Sequence, residues 1–157
     1  MLEHGVSAGH LVKFVGSEVV DASLVGVATP YRLLAPDDPV MEATVVCIEA
    51  DLHHPGGGVH RYATDTYYGG GEWLLLTAWL GWYYAEVREF ERARELLSWV
   101  EAQADEEGNL PEQIPHSLND PAQYQTWRDK WGDIAKPLLW AHAKYLILCR
   151  GLKQRQA

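Results

Sequence analysis

The sequence predicts an all-α protein built of alternating inner and outer helices. Residues 72–87 are almost continuously apolar, so a helix formed by them would be apolar over most of its circumference. Residues 89–104 carry a single apolar stripe opposite a charged face. A helix that is apolar all round belongs inside, and a helix with one stripe packs on its outside. No segment alternates polar and apolar residues in the manner of a half-buried strand.

The length of the chain predicts one domain, residues 1–157. Its 157 residues, 47% of them hydrophobic, are enough to bury a core without a disulfide or a metal ion. The two cysteines, Cys47 and Cys149, lie in apolar segments and show no metal-binding or paired spacing. We expect them to be buried, reduced thiols.

The charge balance excludes some classes of partner. The 22 acidic and 13 basic side chains give a net charge of -9, which does not favour a nucleic-acid partner. The first residues lack the basic start and apolar run of a secretory signal. No run of 18 apolar residues predicts a membrane span, so no membrane partner is expected. The expected location is cytoplasmic.

The first half of the chain predicts two helices and a glycine-rich loop. Asp21 is a suitable N-cap for the apolar segment 21–34, which stops around its proline. A second helix is expected from Pro39 to about Leu52, because proline is favoured in a first helical turn. Residues 53–58, with a proline and three glycines, cannot continue that helix.

The second half predicts the inner and outer helices described above, then a loop, a short helix and a last helix. Asp120 and Pro121 provide an N-cap and a first helical residue for a short segment that contains tryptophan. The last helix is predicted from Pro137 to Gly151. Residues 152–157 are polar, and we expect a frayed tail there.

The aromatic residues are mostly of the kinds that carry a polar group, with seven Trp and eight Tyr against two Phe. Such residues suit a sugar-stacking cleft or an interface, and they also suit a helical core that uses tryptophan. The loop 61–73 concentrates them: it contains Arg61, Asp65, Tyr67, Tyr68 and Trp73. This set can bind a hydroxyl-rich ligand. The alternative is a structural loop in which Arg61 simply pairs with Asp65.

Glu112 lies in a second loop between two prolines, where the backbone is restricted. A rigidly held carboxylate beside an aromatic cavity suits general-base catalysis, and a solvated loop acid is the alternative.

His142 fits a packed core histidine better than a catalytic one. His53, His54 and His60 are separated by flexible glycines, so we predict no metal site. No motif predicts a cofactor.

The ordered set of these loops resembles the glucoamylase family, glycoside hydrolase family 15. It consists of residues 61–73, the run Leu110-Pro111-Glu112-Gln113 and residues 138–143. The resemblance extends from Asp21 to about Ile147 and covers the C-terminal part of that catalytic domain. It implies a partial (α/α)6 toroid and inverting hydrolysis of α-glucosidic bonds by two carboxyl groups.

The resemblance also implies roles for individual residues. Glu112 matches the general base, Arg61 and Asp65 match residues that hold the non-reducing glucose, and Trp73 and Trp140 match aromatic walls. Tyr67 and Tyr68 complete the predicted sugar-binding set. The expected ligands are an α-glucan, an oligosaccharide or trehalose.

Two departures from the family pattern affect the expected activity. Neither Glu3 nor Glu18 has the Trp-Glu-Glu-like context of the family's general acid, which lies upstream in that pattern. Ala141 replaces a serine that is common before the histidine. We therefore expect the isolated chain to be inactive or to need a complementary N-terminal half.

Three alternatives stay open. The chain could be part of a trehalase of the same family, a non-catalytic carbohydrate-binding module or a helical interaction module. Its first and last predicted helices, residues 21–34 and 137–151, each lack one neighbour of a closed toroid. We therefore expect a homo-oligomer or a complex with the complementary half.

Overall fold

A computed structural model describes residues 2–154 and is mainly helical. Its α-helices are α1 (Leu2–Gly5), α2 (Pro39–Leu52), α3 (Leu74–Glu86), α4 (Phe90–Ala102), α5 (Pro121–Trp131) and α6 (Leu139–Gln154). Two 3-10 helices cover Ala22–Val27 and Tyr67–Gly69. The strands are β1 (Val6–Ser7), β2 (His10–Leu11), β3 (Val59–His60), β4 (Glu72–Trp73) and β5 (Gln113–Ile114).

Helix α3 is the inner helix of the fold, and the prediction of inner and outer helices is confirmed. Eleven of its thirteen residues are buried, whereas α4 buries a single stripe formed by Ala93, Leu96 and Val100. Helices α4 and α6 both pack against α3. Gly81 allows α6 to come close, because a Cβ atom there would lie 2.8 Å from Leu148 Cδ2.

Helices α2 and α5 begin at the predicted prolines, and an aspartate caps each of them. The side chain of Asp38 accepts a hydrogen bond from the Val40 amide, and Pro39 occupies the first turn of α2. Asp120 accepts from the Ala122 amide in the same way, and Pro121 opens α5. These side chains pair amides that have no partner within the helix.

The sequence did not predict the strands. Antiparallel β4 lies between β3 and β5 in a three-stranded sheet. Because Glu72 and Trp73 pair in this sheet, the inner helix begins at Leu74, two residues later than predicted. Each strand is two residues long, which is too short for an alternating pattern to be visible in sequence.

The segment after Asp21 also differs from its prediction. It forms a short 3-10 helix, Ala22–Val27, in place of a helix reaching toward Leu34. Asp21 does cap it, since its carboxylate accepts a hydrogen bond from the Ser23 amide. Pro30 lacks an amide hydrogen and disfavours helical geometry in the residue before it, which explains the early end.

Helix α6 continues beyond Gly151 to Gln154, so the predicted frayed tail starts too early. Leu152 is only 5% exposed and joins the core, which holds this last turn in place. Residues 155–157 of the predicted tail lie outside the described residues.

Cys47 and Cys149 are free thiols, but both are only partly buried, less than predicted.

One face of α6 carries large apolar side chains in contact with solvent. Leu139 is 83% exposed and Leu146 is 62% exposed, with Trp140 and Ile147 beside them.

Within residues 2–154, no helix has the length and apolar character needed to cross a membrane.

Candidate active site

The three-stranded sheet fixes the position of Glu112. This residue directly precedes β5, and its amide donates a hydrogen bond to the Ala135 carbonyl at 2.9 Å. Its carbonyl accepts from the amide of Leu74, the first residue of α3, at 3.3 Å. The backbone of Glu112 is therefore held on both sides, between the inner helix and the loop before α6.

Glu112 faces a cavity of about 450 Å³ at the N-terminal end of α3. The cavity gathers five of the seven site residues expected from the sequence: Arg61, Tyr67, Trp73, Glu112 and Trp140. The remaining lining residues are Asp21, Ser23, Leu75, Leu76, Trp79 and Leu138. Aromatic and aliphatic walls with a few polar groups are typical of a small-ligand site.

Asp65 does not line the cavity but holds Arg61 from behind. Its carboxylate is completely buried and accepts two hydrogen bonds from the guanidinium, Nε at 2.9 Å and Nη2 at 2.5 Å. The Tyr67 amide also donates to Asp65 Oδ1, at 3.1 Å. The guanidinium carbon lies 4.7 Å from the centre of the Trp73 ring. Arg61 thus pairs with Asp65 and still faces the cavity, so the two interpretations of this loop are compatible.

Tyr67 contacts the candidate base directly. Its hydroxyl donates a hydrogen bond to Glu112 Oε2 at 3.2 Å, and its ring stacks on Trp73 with 5.7 Å between centroids. Burial, together with the negative charge of Glu112, raises the pKa of Tyr67 to about 12. Tyr67 therefore keeps its proton at neutral pH and acts as a donor to Glu112.

The environment of Glu112 suits a general base. Burial raises the pKa of Glu112 above its ordinary value, while the hydrogen bond from Tyr67 and the charge of Arg61 act in the opposite direction. A higher pKa makes the carboxylate a better proton acceptor, and its fixed position directs it into the cavity. Such a group can take a proton from a water molecule held beside it.

Tyr68 points away from the cavity. It is 4% exposed, and its hydroxyl donates a hydrogen bond to the Gly132 carbonyl at 3.0 Å. Its backbone has a positive φ of 46°, which turns the chain between Tyr67 and the following glycines. The structure therefore places Tyr68 as a link between this loop and the end of α5.

Two further side chains hold the loop of the candidate base. The Leu110 amide donates a hydrogen bond to Nε2 of His142 at 3.1 Å, two residues before Glu112. Gln113 accepts from the Gly71 amide at 2.9 Å and donates to the Tyr67 carbonyl at 3.1 Å. His142 is thus a hydrogen-bonded residue of the packed structure that supports Glu112 through the backbone.

His53 and His60, at the two ends of the glycine-rich loop, have other partners. His53 Nδ1 pairs with Glu49 at 2.8 Å, and this hydrogen bond raises the pKa of His53. His60 Nδ1 lies 2.9 Å from the Gly70 carbonyl. No cluster of three or more potential metal-ligating side chains occurs among the residues that the structure describes.

Several cavity residues were missed by the sequence analysis. Asp21 was recognised only as an N-cap, and its Oδ1 does accept hydrogen bonds from the Ser23 amide and hydroxyl. Trp79 follows Leu75 by four residues and Leu76 by three, so these three cavity residues share one face of α3. That spacing was the available signal for Trp79.

A second cavity, of about 600 Å³, lies between α2, α3 and α4 and contains none of the predicted site residues. Its central carboxylate, Glu49, already accepts a hydrogen bond from Tyr84 at 2.6 Å and pairs with Arg92 at 3.0 Å. Because Glu49 is already paired and no predicted site residue lies here, we assign the candidate active site to the cavity of Glu112.

The glycine turn beside Asp65 provides a test of this local geometry. Gly70 has a φ of +68°, and a Cβ atom there would lie 2.0 Å from the Asp65 carbonyl oxygen. We expect Gly70→Ala to lower the free energy of unfolding by at least about 2 kcal/mol, because backbone strain adds to the overlap. Urea unfolding measures the change.

Gly108→Ala is the matched control, since Gly108 also has a positive φ but no atom within 4 Å of the added carbon. Its free energy of unfolding should fall only by the cost of the backbone strain, about 1 kcal/mol. Equal losses in the two variants would show that the contact with Asp65 is unimportant.

Sequence comparison identifies relatives among glycosidases. No family model matches the chain. It is 48% identical to an isomaltose glucohydrolase of Kribbella flavida over 144 residues, which are 92% of this chain and 37% of the relative. It is 29% identical to a glucoamylase of a Clostridium species, over 83% of this chain and 19% of that protein. A trehalase of Mycobacterium tuberculosis is 38% identical over 102 residues, 61% of this chain and 15% of that protein.

Solved structures agree with the sequence comparison. A wild-type glycosidase superimposes with a TM-score of 0.93 at 46% identity, over 96% of this chain and 40% of that one. A variant of a glycosidase in complex with glucose matches equally well. A bacterial glucoamylase complexed with acarbose gives a TM-score of 0.70 at 25% identity, over 90% of this chain and 21% of that one. The chain therefore spans about two fifths, or less, of the length of these relatives.

Proposed function

Since this chain is similar in sequence and fold to the C-terminal part of glycosidases of the glucoamylase family, glycoside hydrolase family 15, we propose that it contributes the general base and the sugar pocket for hydrolysis of α-glucosidic bonds. One observation carries the proposal: Glu112 is held by its backbone in a cavity that also presents Arg61, Trp73 and Trp140.

The proposed reaction is inverting. As the oxygen of a water molecule bonds to the anomeric carbon, the Glu112 carboxylate takes a proton from that water. The bond from the anomeric carbon to the glycosidic oxygen breaks, and a general acid protonates the leaving oxygen. Together these steps consume one water molecule and release glucose and the shortened sugar or alcohol.

We assign the general acid to no described residue. Asp21 is a further carboxylate in the cavity, but Ser23 occupies its Oδ1 and Lys13 Nζ lies 3.7 Å from its Oδ2. Because the chain spans only 37% of the isomaltose glucohydrolase and 40% of the solved glycosidase, we propose that the acid comes from residues outside this sequence.

The sugar is proposed to bind through Arg61 and the aromatic walls. A guanidinium has five N–H donors, and Asp65 accepts from Nε and Nη2, so donors are left for sugar hydroxyls. Trp73 and Trp140 line the same cavity, and they are proposed to contact the C–H side of the sugar ring. Asp65 contributes by fixing the guanidinium.

The first substrate to test is isomaltose, because the relative that shares 48% identity is named for it. Trehalose is the second candidate, since a relative with 38% identity is a trehalase. Maltose and longer maltooligosaccharides represent the glucoamylase activity.

We further propose that the exposed apolar face of α6 is covered when the site is complete. Leu139 and Leu146 are exposed by 83% and 62%, which is unusual for a surface that stays in water. The occupant is the remainder of the toroid, and a second copy of this chain is the alternative. Light scattering of the chain alone distinguishes self-association from a monomer.

The central test is a chimera in which this chain replaces the matching 144-residue region of the Kribbella flavida enzyme. We expect the chimera to release glucose from at least one of isomaltose, trehalose and maltose, and the isolated chain to release none. A folded chimera that binds glucose but hydrolyses none of these sugars would instead identify a non-catalytic binding module. Robust turnover by the isolated chain would contradict the assignment of the acid to other residues.

A further inference from the structure

Lys144 is a buried lysine in an unusual environment. It lies on α6, is 7% exposed, and its Nζ sits 3.2 Å from the centroid of the Trp79 ring and 5.2 Å from that of Trp82. None of the carboxylates in the described part of the chain forms an ion pair with it. Lysine is almost never buried without a partner, so the indole rings of α3 provide its compensation.

Two acidic groups on the helices that pack against α6 have other partners. Glu86, at the end of α3, accepts hydrogen bonds from Arg32 at 2.6 Å and from Trp82 Nε1 at 3.2 Å. Glu101, on α4, accepts from the Tyr145 hydroxyl at 3.2 Å. Burial lowers the pKa of Lys144 to about 8, with no opposing carboxylate. The side chain is therefore charged below about pH 8 and neutral above it.

Trp79 connects this lysine to the candidate active site. Its ring lines the cavity of Glu112, and its Nε1 donates a hydrogen bond to the Thr29 carbonyl at 2.5 Å. Gly26 lies against the ring, since a Cβ atom there would come within 2.8 Å of Trp79 Cζ2. The hydrogen bond holds one edge of the indole, and the ammonium of Lys144 lies over its face.

We propose that Lys144 is a positioning residue for the sugar cavity, whose ammonium holds the Trp79 ring in the cavity wall and thereby sets the affinity for sugar. The effect on sugar rests on the function proposed above, whereas the hold on Trp79 does not. A cation loses its attraction to an aromatic face when it is deprotonated. The ring should therefore be released, and sugar affinity should fall, as pH rises through about 8.

The hold on Trp79 is tested in the isolated chain by near-ultraviolet circular dichroism and tryptophan fluorescence as a function of pH. We expect the wild-type chain to show a transition near pH 8 that is absent from Lys144→Met and reduced in Trp79→Phe, in which Trp82 still lies near the lysine. Lys144→Arg keeps a permanent cation and should retain the low-pH spectrum throughout the titration. Lys153→Met, at an exposed position of the same helix, is the control and should titrate like wild type.

The effect on sugar is tested in the Kribbella chimera. At neutral pH, Lys144→Met should raise KM by roughly threefold to tenfold with little change in kcat, and Lys144→Arg should restore KM. At high pH, wild type and Lys144→Met should have the same KM, because both lack the cation.

The outcomes separate the two proposals. An unchanged optical transition in Lys144→Met, or a KM that does not depend on this residue, would overturn the role of Lys144. A loss of thermal stability in Lys144→Met without a change in KM would likewise show a merely structural residue. If no variant of the chimera hydrolyses any sugar, the proposed function fails, and the optical titration alone decides whether Lys144 holds Trp79.

Discussion

Replacing Glu112 with glutamine is expected to lower kcat of the Kribbella chimera by about 10²- to 10⁴-fold, the usual contribution of a general base. Glutamine has nearly the same shape, and its carbonyl oxygen can still accept the hydrogen bond from Tyr67. It cannot take a proton from water, so turnover is lost while the cavity keeps its form. Steady-state hydrolysis and glucose titration measure kcat and affinity separately.

Glu106→Gln is the matched control, because Glu106 is an exposed acid in the loop that precedes Glu112. It should leave kcat unchanged. Since burial raises the pKa of Glu112, the acidic limb of the wild-type pH–rate profile should lie at higher pH than for an exposed glutamate. If Glu112→Gln hydrolysed sugar at the wild-type rate, another residue would have to be the base.

Replacing Asp65 with asparagine is expected to cause the largest combined loss of stability and sugar affinity. The carboxylate is completely buried and accepts hydrogen bonds from two nitrogens of Arg61 and from the Tyr67 amide. Asparagine cannot neutralise the guanidinium, which then loses the carboxylate that pairs with it directly. We expect the free energy of unfolding to fall by about 2–4 kcal/mol, as measured by urea unfolding of the isolated chain.

In the chimera, the same change should raise KM for the best substrate more than it lowers kcat, because Arg61 is proposed to bind sugar hydroxyls. Asp133→Asn is the control: it breaks an arginine–carboxylate contact of 2.6 Å, but at the surface, where such pairs contribute little. Similar effects of the two substitutions would contradict the importance of burial at Asp65.

The candidate site shows where the sequence analysis was limited. The loop composition selected Arg61, Asp65, Tyr67, Tyr68 and Trp73 together, because each residue type can contact sugar. The structure divides them. Arg61, Tyr67 and Trp73 line the cavity, Asp65 lies behind Arg61, and Tyr68 bonds to the Gly132 carbonyl. Tyr68 adopts a positive φ between Tyr67 and the glycines, and composition carries no information about a single backbone angle.

The same limit applies to contacts between distant elements. His142 was predicted as a hydrogen-bonded core residue, but its partner, the Leu110 amide, lies 32 residues earlier in the chain. The sequence analysis did not single out Lys144, because only the packing of α6 on α3 places its ammonium over Trp79.

The sequence by itself determined the helical class, the inner and outer character of α3 and α4, the proline in the first turn of α2 and the aspartate–proline start of α5. These features depend on residues within a few turns of one another, so periodicity and capping reveal them. Only the tertiary structure decided the two-residue strands, the continuation of α6 to Gln154 and the assignment of residues to the cavity. Those features arise from pairing and burial between segments far apart in the chain, which no local pattern records.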